Sequence, residues 1–310
     1  RPAPAPPPPT PPATAHAPPR PATPAASQSP APPPRPRTTA THPRARATRT
    51  PHASDPKTDM TTKKTDMTTN TTAHLLEDLD ALLDDRAIEA CILLAASWGV
   101  TLSVLYAEYH PDRVLGLALA GITMTRPSEI DWLYRGMSSQ LPAEWERFAA
   151  VVDGQRGDVD IVEAYRQRLE MSGPLAREEA AIEWENWERA VMGIDPVDPS
   201  ELTGDDVRWM VAFARIVTHY FAHDAWLAPD QILTNAHRLD GVPAVLIHGT
   251  SDRASRIETA RELSAVWKSA VLVEVEGEGH GISEPAMANA IVDALGGLAS
   301  VSSLSPEPPG

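Results

Sequence analysis

The stretch Cys91-Ile92-Leu93-Leu94-Ala95-Ala96-Ser97-Trp98-Gly99-Val100-Thr101-Leu102 decides how the chain is read. An apolar run ends in Ala-x-Ser-x-Gly, and an amphipathic run from Val100 to His110 begins at once. Strand, sharp turn and helix is the setting that lifts a serine hydroxyl above the edge of a sheet. The turn is so tight that the positions two before and two after the serine must be small. Here they are Ala95 and Gly99. Glycine is usual at the first, so Ala95 is a departure that still keeps the side chain small. The helix after the turn aims its N-terminal N–H groups at negative charge developing beside the serine, and Trp98 N–H is the first such donor. Such pentapeptides also arise by chance, so the reading rests on what surrounds this one.

Before the serine strand, Leu75, Leu76, Leu79, Leu82 and Leu83 form a one-sided apolar stripe at helical spacing, with Asn70, Thr71 or Thr72 placed to cap it. After the serine helix, broken at Pro111, Val114 to Ile122 reads as a second buried strand. The order helix, strand, helix, strand predicts a parallel sheet. From 126 to about 235 no convincing strand occurs. Long helical patterns carry Trp132, Trp145, Trp184, Trp187, Trp209 and Trp226. This is an all-helical insertion whose tryptophans pack its core or line a pocket against the sheet. Strand patterns resume at Pro243 to Gly249 and Ala270 to Val275, with helices at Ile257 to Trp267 and Glu284 to Leu295.

Two residues complete a reactive set. Asp252 lies just past the strand Val245-Leu246-Ile247-His248, and His280 just past the strand 271–275 in Gly277-Glu278-Gly279-His280-Gly281. Both sit at C-terminal ends of strands, the edge where parallel sheets place their sites. The order Ser97, Asp252, His280 is that of an α/β-hydrolase triad. His280 would take the serine proton, and Asp252 would hold the imidazole in the right tautomer. His219, His223 and His248 have no such context and read as structural.

Composition bounds the rest. The net charge is −15, divided as +7 in residues 1–50 and −22 in the remainder. An acidic body argues against nucleic acid as partner. One cysteine, Cys91, cannot form an internal disulfide. No apolar run is long enough to span a membrane, and the first residues lack the apolar core of a secretory signal. The expectation is a cytoplasmic protein with no membrane partner. Eighteen of the first fifty residues are proline, and none is Leu, Ile, Val, Met or aromatic. That composition gives an extended, solvated coil. It also fits a GC-rich gene read out of frame: shifted, Ala45-Arg46-Ala47-Thr48-Arg49 decodes as Gly-x-Gly-Asp-Ser. The duplication Lys57-Thr58-Asp59-Met60-Thr61-Thr62 and Lys64-Thr65-Asp66-Met67-Thr68-Thr69 reads as a local insertion. The expected division is a low-complexity segment 1–56, sheet parts 57–125 and 236–302 around a helical cap 126–235, and a loose tail 303–310.

The sequence resembles the proline iminopeptidases, serine peptidases of the α/β-hydrolase fold. The resemblance is carried by Thr50-Pro51-His52-Ala53, Ser97-Trp98-Gly99-Val100-Thr101-Leu102, Tyr109-His110-Pro111-Asp112-Arg113-Val114, Ile130-Asp131-Trp132-Leu133-Tyr134 and Trp184-Glu185-Asn186-Trp187-Glu188. Ala214-Arg215-Ile216 with His219-Tyr220-Phe221 and the Asp252 and His280 segments add to it. It covers about residues 50–300. It implies an α/β fold, mostly parallel sheet flanked by helices with a helical cap, and release of N-terminal proline from peptides without metal or cofactor. It also implies two cap glutamates that bind the substrate's amino group. The first matches Glu188; the second falls at Val217, which carries no charge, with Glu185 one turn from Glu188 as a helper. In the family the segment before Thr50 carries a His-Gly-Gly-Pro-Gly oxyanion loop and a Gly-x-Gly-x-Ser string, the string that the shifted frame yields. As written the chain lacks this loop and the first strands of its sheet. Losing one oxyanion donor costs about 3 kcal/mol. The readings that stay open are a prolyl aminopeptidase, another hydrolase of the same fold acting on esters or amides, and an impaired, frameshifted product.

Overall fold

A single parallel sheet in the order β1-β2-β3-β4 carries the fold: β1 Cys91–Ala96, β2 Val114–Ala120, β3 Ala244–Gly249 and β4 Ala270–Val275. The computed structural model describes residues 69–153 and 160–302. The readings for 1–56 and 303–310, including the shifted-frame string at 45–49, lie outside the described residues. In register, Ala96 stands beside Ala120, Ala120 beside Ile247, and Gly249 beside Val275. With all strands parallel, their C-terminal ends form one edge, and the loops leaving that edge are neighbours.

The helices keep the expected order. α1 (Thr72–Asp85) starts at Thr71, whose N–H donates to His74 Nδ1 at 3.2 Å. α2 (Trp98–Tyr109) begins two residues earlier than the amphipathic pattern suggested, directly after Ser97. β2 ends at Ala120 rather than Ile122, because Ile122 N–H leaves the ladder and donates to His248 Nδ1 at 2.9 Å. Between β2 and β3 the described residues hold only helices: α3 Pro127–Tyr134, α4 Pro142–Ala150, α5 Ile161–Met171, α6 Pro174–Val191, α7 Gly204–Phe221 and the short α8 Gln231–Asn235, with single 3₁₀ turns. α9 (Ile257–Val266) joins β3 to β4, and α10 (Pro285–Ser302) closes the described chain.

Three apolar clusters hold these layers. One face of the sheet packs Leu117, Leu119 and Leu246 against Val104 and Leu105 of α2 and Leu263 of α9. The other packs Ala118, Ala120 and Ile247 against Met287, Ile291 and Leu298 of α10. Gly116 lets that helix approach: a Cβ there would stand 2.8 Å from Leu298 Cδ2. The third cluster lies within the helical insertion, around Phe148, Tyr165, Trp184 and Trp187. Each fully buried side chain of this size contributes about 1.5–3 kcal/mol relative to exposure. β1 is the outer strand among the described residues, and Leu94 is 55% exposed.

One buried group works against this packing. Glu108 on α2 is 3% exposed, and among the described residues neither carboxyl oxygen makes a hydrogen bond of good geometry. Burial pushes its pKa up to about 8, against the pull of nearby Asn235 and Arg238. A carboxyl whose folded pKa is raised binds its proton more tightly in the fold. Its stability contribution is therefore best at low pH and declines as pH rises from the ordinary carboxylate range through about 8. Glu108→Gln is expected to raise the melting temperature at pH 9 and to change it little at pH 5, measured by thermal unfolding.

Candidate active site

Ser97 occupies the turn between β1 and α2 with φ 51° and ψ −126°, a conformation that a side chain rarely adopts. Its N–H donates to Ala120 O at 3.0 Å, and its carbonyl accepts from Val100 N–H at 2.8 Å. A Cβ on Gly99 would stand 3.4 Å from Ala95 Cβ, so the two small residues anticipated from the sequence face each other across the turn. Trp98 begins α2, where an N–H has no carbonyl of its own helix to bind. Its indole packs against Tyr220 and Phe221 of α7, with ring centroids 5.3 and 6.2 Å away.

Asp252 and His280 meet. Asp252 Oδ2 accepts from His280 Nδ1 at 2.7 Å, while Oδ1 accepts from the N–H groups of Ala254 and Ser255 at 2.9 Å each. The loops carrying the two residues are tied together. Thr250 N–H donates to Val275 O, Ser251 N–H to Glu278 O, and Gly277 N–H to Thr250 Oγ1. Gly249 makes this possible, since a Cβ there would run into the carbonyl oxygens of Glu278 and Gly279. Gly121, at φ +59°, serves the imidazole in the same way: a Cβ would stand 3.1 Å from His280 Cε1. With Nδ1–H given to Asp252, the His280 nitrogen left to accept a proton is Nε2. Burial lowers the His280 pKa, but the bond and charge of Asp252 and the charge of Glu188 outweigh it, and the net shift is upward.

A cavity of about 550 Å³ lies between this edge and the helical insertion. Ser97, Trp98, His280 and Glu188 all line it. Among the described residues Ser97 Oγ and His280 share this wall without a hydrogen bond between them. Glu188 on α6 accepts from Tyr134 OH at 2.6 Å and Trp184 Nε1 at 2.9 Å, both at Oε1. Burial pushes its pKa up to about 7; the Tyr134 and Trp184 bonds and His280 pull down, and the Glu185 charge pushes up. Glu185 itself pairs with Arg189 at 3.8 Å and is not part of the cavity wall. Val217 is, so the position implied for a second glutamate faces the cavity with an isopropyl group.

One residue of the cavity wall, Glu129, escaped the sequence reading, and one read as structural, His248, also stands beside the acid. Glu129 lines the cavity, but its oxygens are occupied. Oε2 accepts from Thr123 Oγ1, Met124 N–H and Arg126 N–H, and Oε1 from Arg126 Nε and Thr259 Oγ1. The signal was present in Arg126-Pro127-Ser128-Glu129, a helix start with an acid at its third position. His248, read as structural, does hold structure: Nδ1 accepts from Ile122 N–H and Nε2–H donates to Ser255 O at 3.0 Å. It also stands 3.6 Å from Asp252 Oδ2, beside the acid, and burial lowers its pKa. His219 and His223 keep their structural reading. His219 Nε2 bonds Asn70 O, and His223 bonds His219 O while stacking on Trp226. Of the six tryptophans in the insertion none lines the cavity; Trp184 reaches it through Glu188. No group of three or more His, Cys, Asp or Glu able to hold a metal occurs among the described residues.

Comparison with known proteins places this geometry in a family. Residues 26–285 match the alpha/beta hydrolase fold family. A probable proline iminopeptidase of Streptomyces coelicolor is 34% identical over 234 residues, covering 74% of this chain and 70% of the relative. The proline iminopeptidase of Neisseria gonorrhoeae is 34% identical over 228 residues, 73% of this chain and 72% of the relative. The proline iminopeptidase of Arabidopsis thaliana is 30% identical over 224 residues, 72% of this chain and 59% of the relative. With a serine on a strained strand-to-helix turn, an Asp–His pair beside it and a helical insertion over both, the chain belongs to the proline iminopeptidase family of α/β-hydrolases.

Proposed function

We propose that the chain is a serine aminopeptidase that releases proline from the N-terminus of peptides, with Ser97, Asp252 and His280 as its catalytic residues. One observation carries the reading: Ser97 and the His280 side chain bonded to Asp252 share one cavity with Glu188. His280 Nε2 takes the Ser97 proton as Oγ attacks the first peptide carbonyl. Asp252 stabilises the imidazolium that forms. The oxyanion is met by Trp98 N–H at the start of α2. On collapse His280 gives its proton to the leaving amine, and water then releases proline from Ser97 by the same route in reverse.

Glu188 selects the substrate's charge. Its Oε1 is held by Tyr134 and Trp184, which leaves Oε2 to take the ammonium of the substrate. Glu129 has no such capacity, and Val217 supplies no second carboxylate. Residues 126–235 act as the cap that closes the cavity, between sheet parts 57–125 and 236–302. The setting is read as cytoplasmic, because the sole cysteine leaves the fold without a disulfide. No helix among the described residues is long and apolar enough to cross a membrane. The peptide is the only partner the cavity calls for, and nucleic acid has no place in an acidic body of this kind.

Four outcomes are expected. Ser97→Ala is expected to lower kcat for proline p-nitroanilide roughly 10⁴- to 10⁶-fold with unchanged circular dichroism; retained turnover, or turnover confined to acetyl esters, counts against the reading. The base must be unprotonated and its pKa is raised, so the acidic limb of kcat/KM is expected to centre above 6.5. Glu188 gains its charge as pH rises through about 7, so KM for the proline substrate is expected to fall between pH 6 and 8. Glu188→Gln is expected to raise KM about ten- to a hundredfold at pH 8 and to flatten that dependence; a KM profile identical to the parent's removes Glu188 from substrate binding.

A further inference from the structure

One face of α7 runs from the reactive serine out into solvent. At its inner end Tyr220 and Phe221 pack on Trp98, the residue after Ser97. Phe213, Ile216 and Val217 line the cavity in its middle. Trp209 stands one turn beyond Phe213, outside the cavity wall and 57% exposed. The Trp209 and Phe213 rings are stacked at 5.1 Å and 7°, forming one flat aromatic platform. Positions 209, 213, 216 and 220 recur at helical spacing, so they form a single stripe. Ile216 is 44% exposed although it lines the cavity, and Met192, just past α6, is 41% exposed and lines it too. Where the cavity meets solvent at these two residues its wall is therefore apolar. The arginines of α7 next to the stripe are already bonded, Arg208 to Asp205 and Arg215 to Glu170.

We propose that this stripe, with the Trp209–Phe213 platform at its outer end, is the subsite for the second and later residues of a peptide substrate, and that it favours aromatic or large apolar side chains there. The proposal rests on the aminopeptidase reading. The first residue lies between Ser97 and Glu188, so the rest of the peptide has to leave the cavity through its mouth. Water-exposed aromatic surface continuous with a reactive cavity is the place where such a chain gains contact area. Tyr220 to Trp209 covers about 16 Å of helix, a distance that an extended peptide spans in about five residues. The platform therefore discriminates among substrates longer than a dipeptide by the side chains beyond their first residue.

The test compares Pro-Phe-Phe-Phe-Phe-Gly with Pro-Gly-Gly-Gly-Gly-Gly, peptides long enough to reach the platform, with free proline as the readout. The parent chain is expected to prefer the phenylalanine peptide, mainly through KM. Trp209→Ala is expected to reduce that preference about two- to tenfold, and Trp209→Phe to restore most of it. A preference unchanged in Trp209→Ala overturns the proposal. Binding is measured separately from turnover by calorimetric titration of Pro-Phe-Phe-Phe-Phe-Gly into Ser97→Ala and into Ser97→Ala/Trp209→Ala. Weaker binding to the second variant supports the subsite, and equal binding, or none to either, overturns it. If the parent shows no Ser97-dependent proline release while peptide binding still depends on Trp209, the reaction reading fails and the subsite stands.

Discussion

The left-handed turn at Ser97 is the constraint on which the rest of the site depends. A non-glycine residue at φ 51° and ψ −126° costs free energy and persists only where its surroundings fix it. Here the fixing comes from both sides. Ser97 N–H is tied to the end of β2, and the small residues Ala95 and Gly99 face each other across the turn, where a Cβ on Gly99 would stand 3.4 Å from Ala95 Cβ. Trp98 is then wedged against two aromatic rings of α7, so the turn, the sheet and the insertion are coupled at one point. The parallel register does the remaining positioning. Because Ala96, Ala120 and Ile247 stand in one row, the segments leaving their strands arrive side by side.

Electrostatics gives this geometry its chemistry. His280 and Glu188 line a cavity that is largely apolar and act on each other's proton affinity, while Asp252 reaches it only through the imidazole. Asp252 receives two backbone N–H bonds on one oxygen and the imidazole on the other. His280 gains proton affinity from Asp252 and from Glu188 across the cavity, against the cost of burial. Glu188 is pushed toward neutrality by its own burial, so its charge depends on pH in the range where the imidazole also titrates. His248 completes the arrangement from behind. Burial lowers its pKa against the pull of Asp252 and of the Ser255 bond, and Nδ1 accepts Ile122 N–H as a neutral imidazole does.

The helical insertion is more than a cover. Glu129 at the start of α3 gathers bonds from the loop after β2 and from Thr259 on α9, a latch between insertion and sheet. Tyr134 on the same helix reaches Glu188, and Trp187 Nε1 reaches Leu133 O. The buried aromatic cluster around Phe148, Tyr165 and Trp184 thus sets where the one available carboxylate of the cavity stands. The tryptophans of the insertion act through this packing, and the cavity wall itself is made by Phe213, Ile216, Val217 and their neighbours on α7.

Much of this was legible in the sequence. Strands of apolar residues between helical patterns fix a parallel sheet, and parallel strands put all their C-terminal loops at one edge, so Ser97, Asp252 and His280 could be grouped from order alone. Glu188 and the uncharged Val217 were reached through the family resemblance. What only the tertiary structure decided concerns distances between segments far apart in the chain. Nothing local to His280 shows that Gly121 is the floor under its ring, or that Gly249 must lack a side chain for two loops to close. Nothing local to Glu129 shows a latch to Thr259, and nothing local to Phe213 shows that the face it shares with Trp209 runs into the cavity wall. The physical reason is range: periodicity and turn chemistry act over a few residues and determine the elements and their order. The roles of these side chains come from packing between different elements, in the pairs Gly121–His280 and Glu129–Thr259 more than a hundred residues apart, which only the folded chain brings into contact.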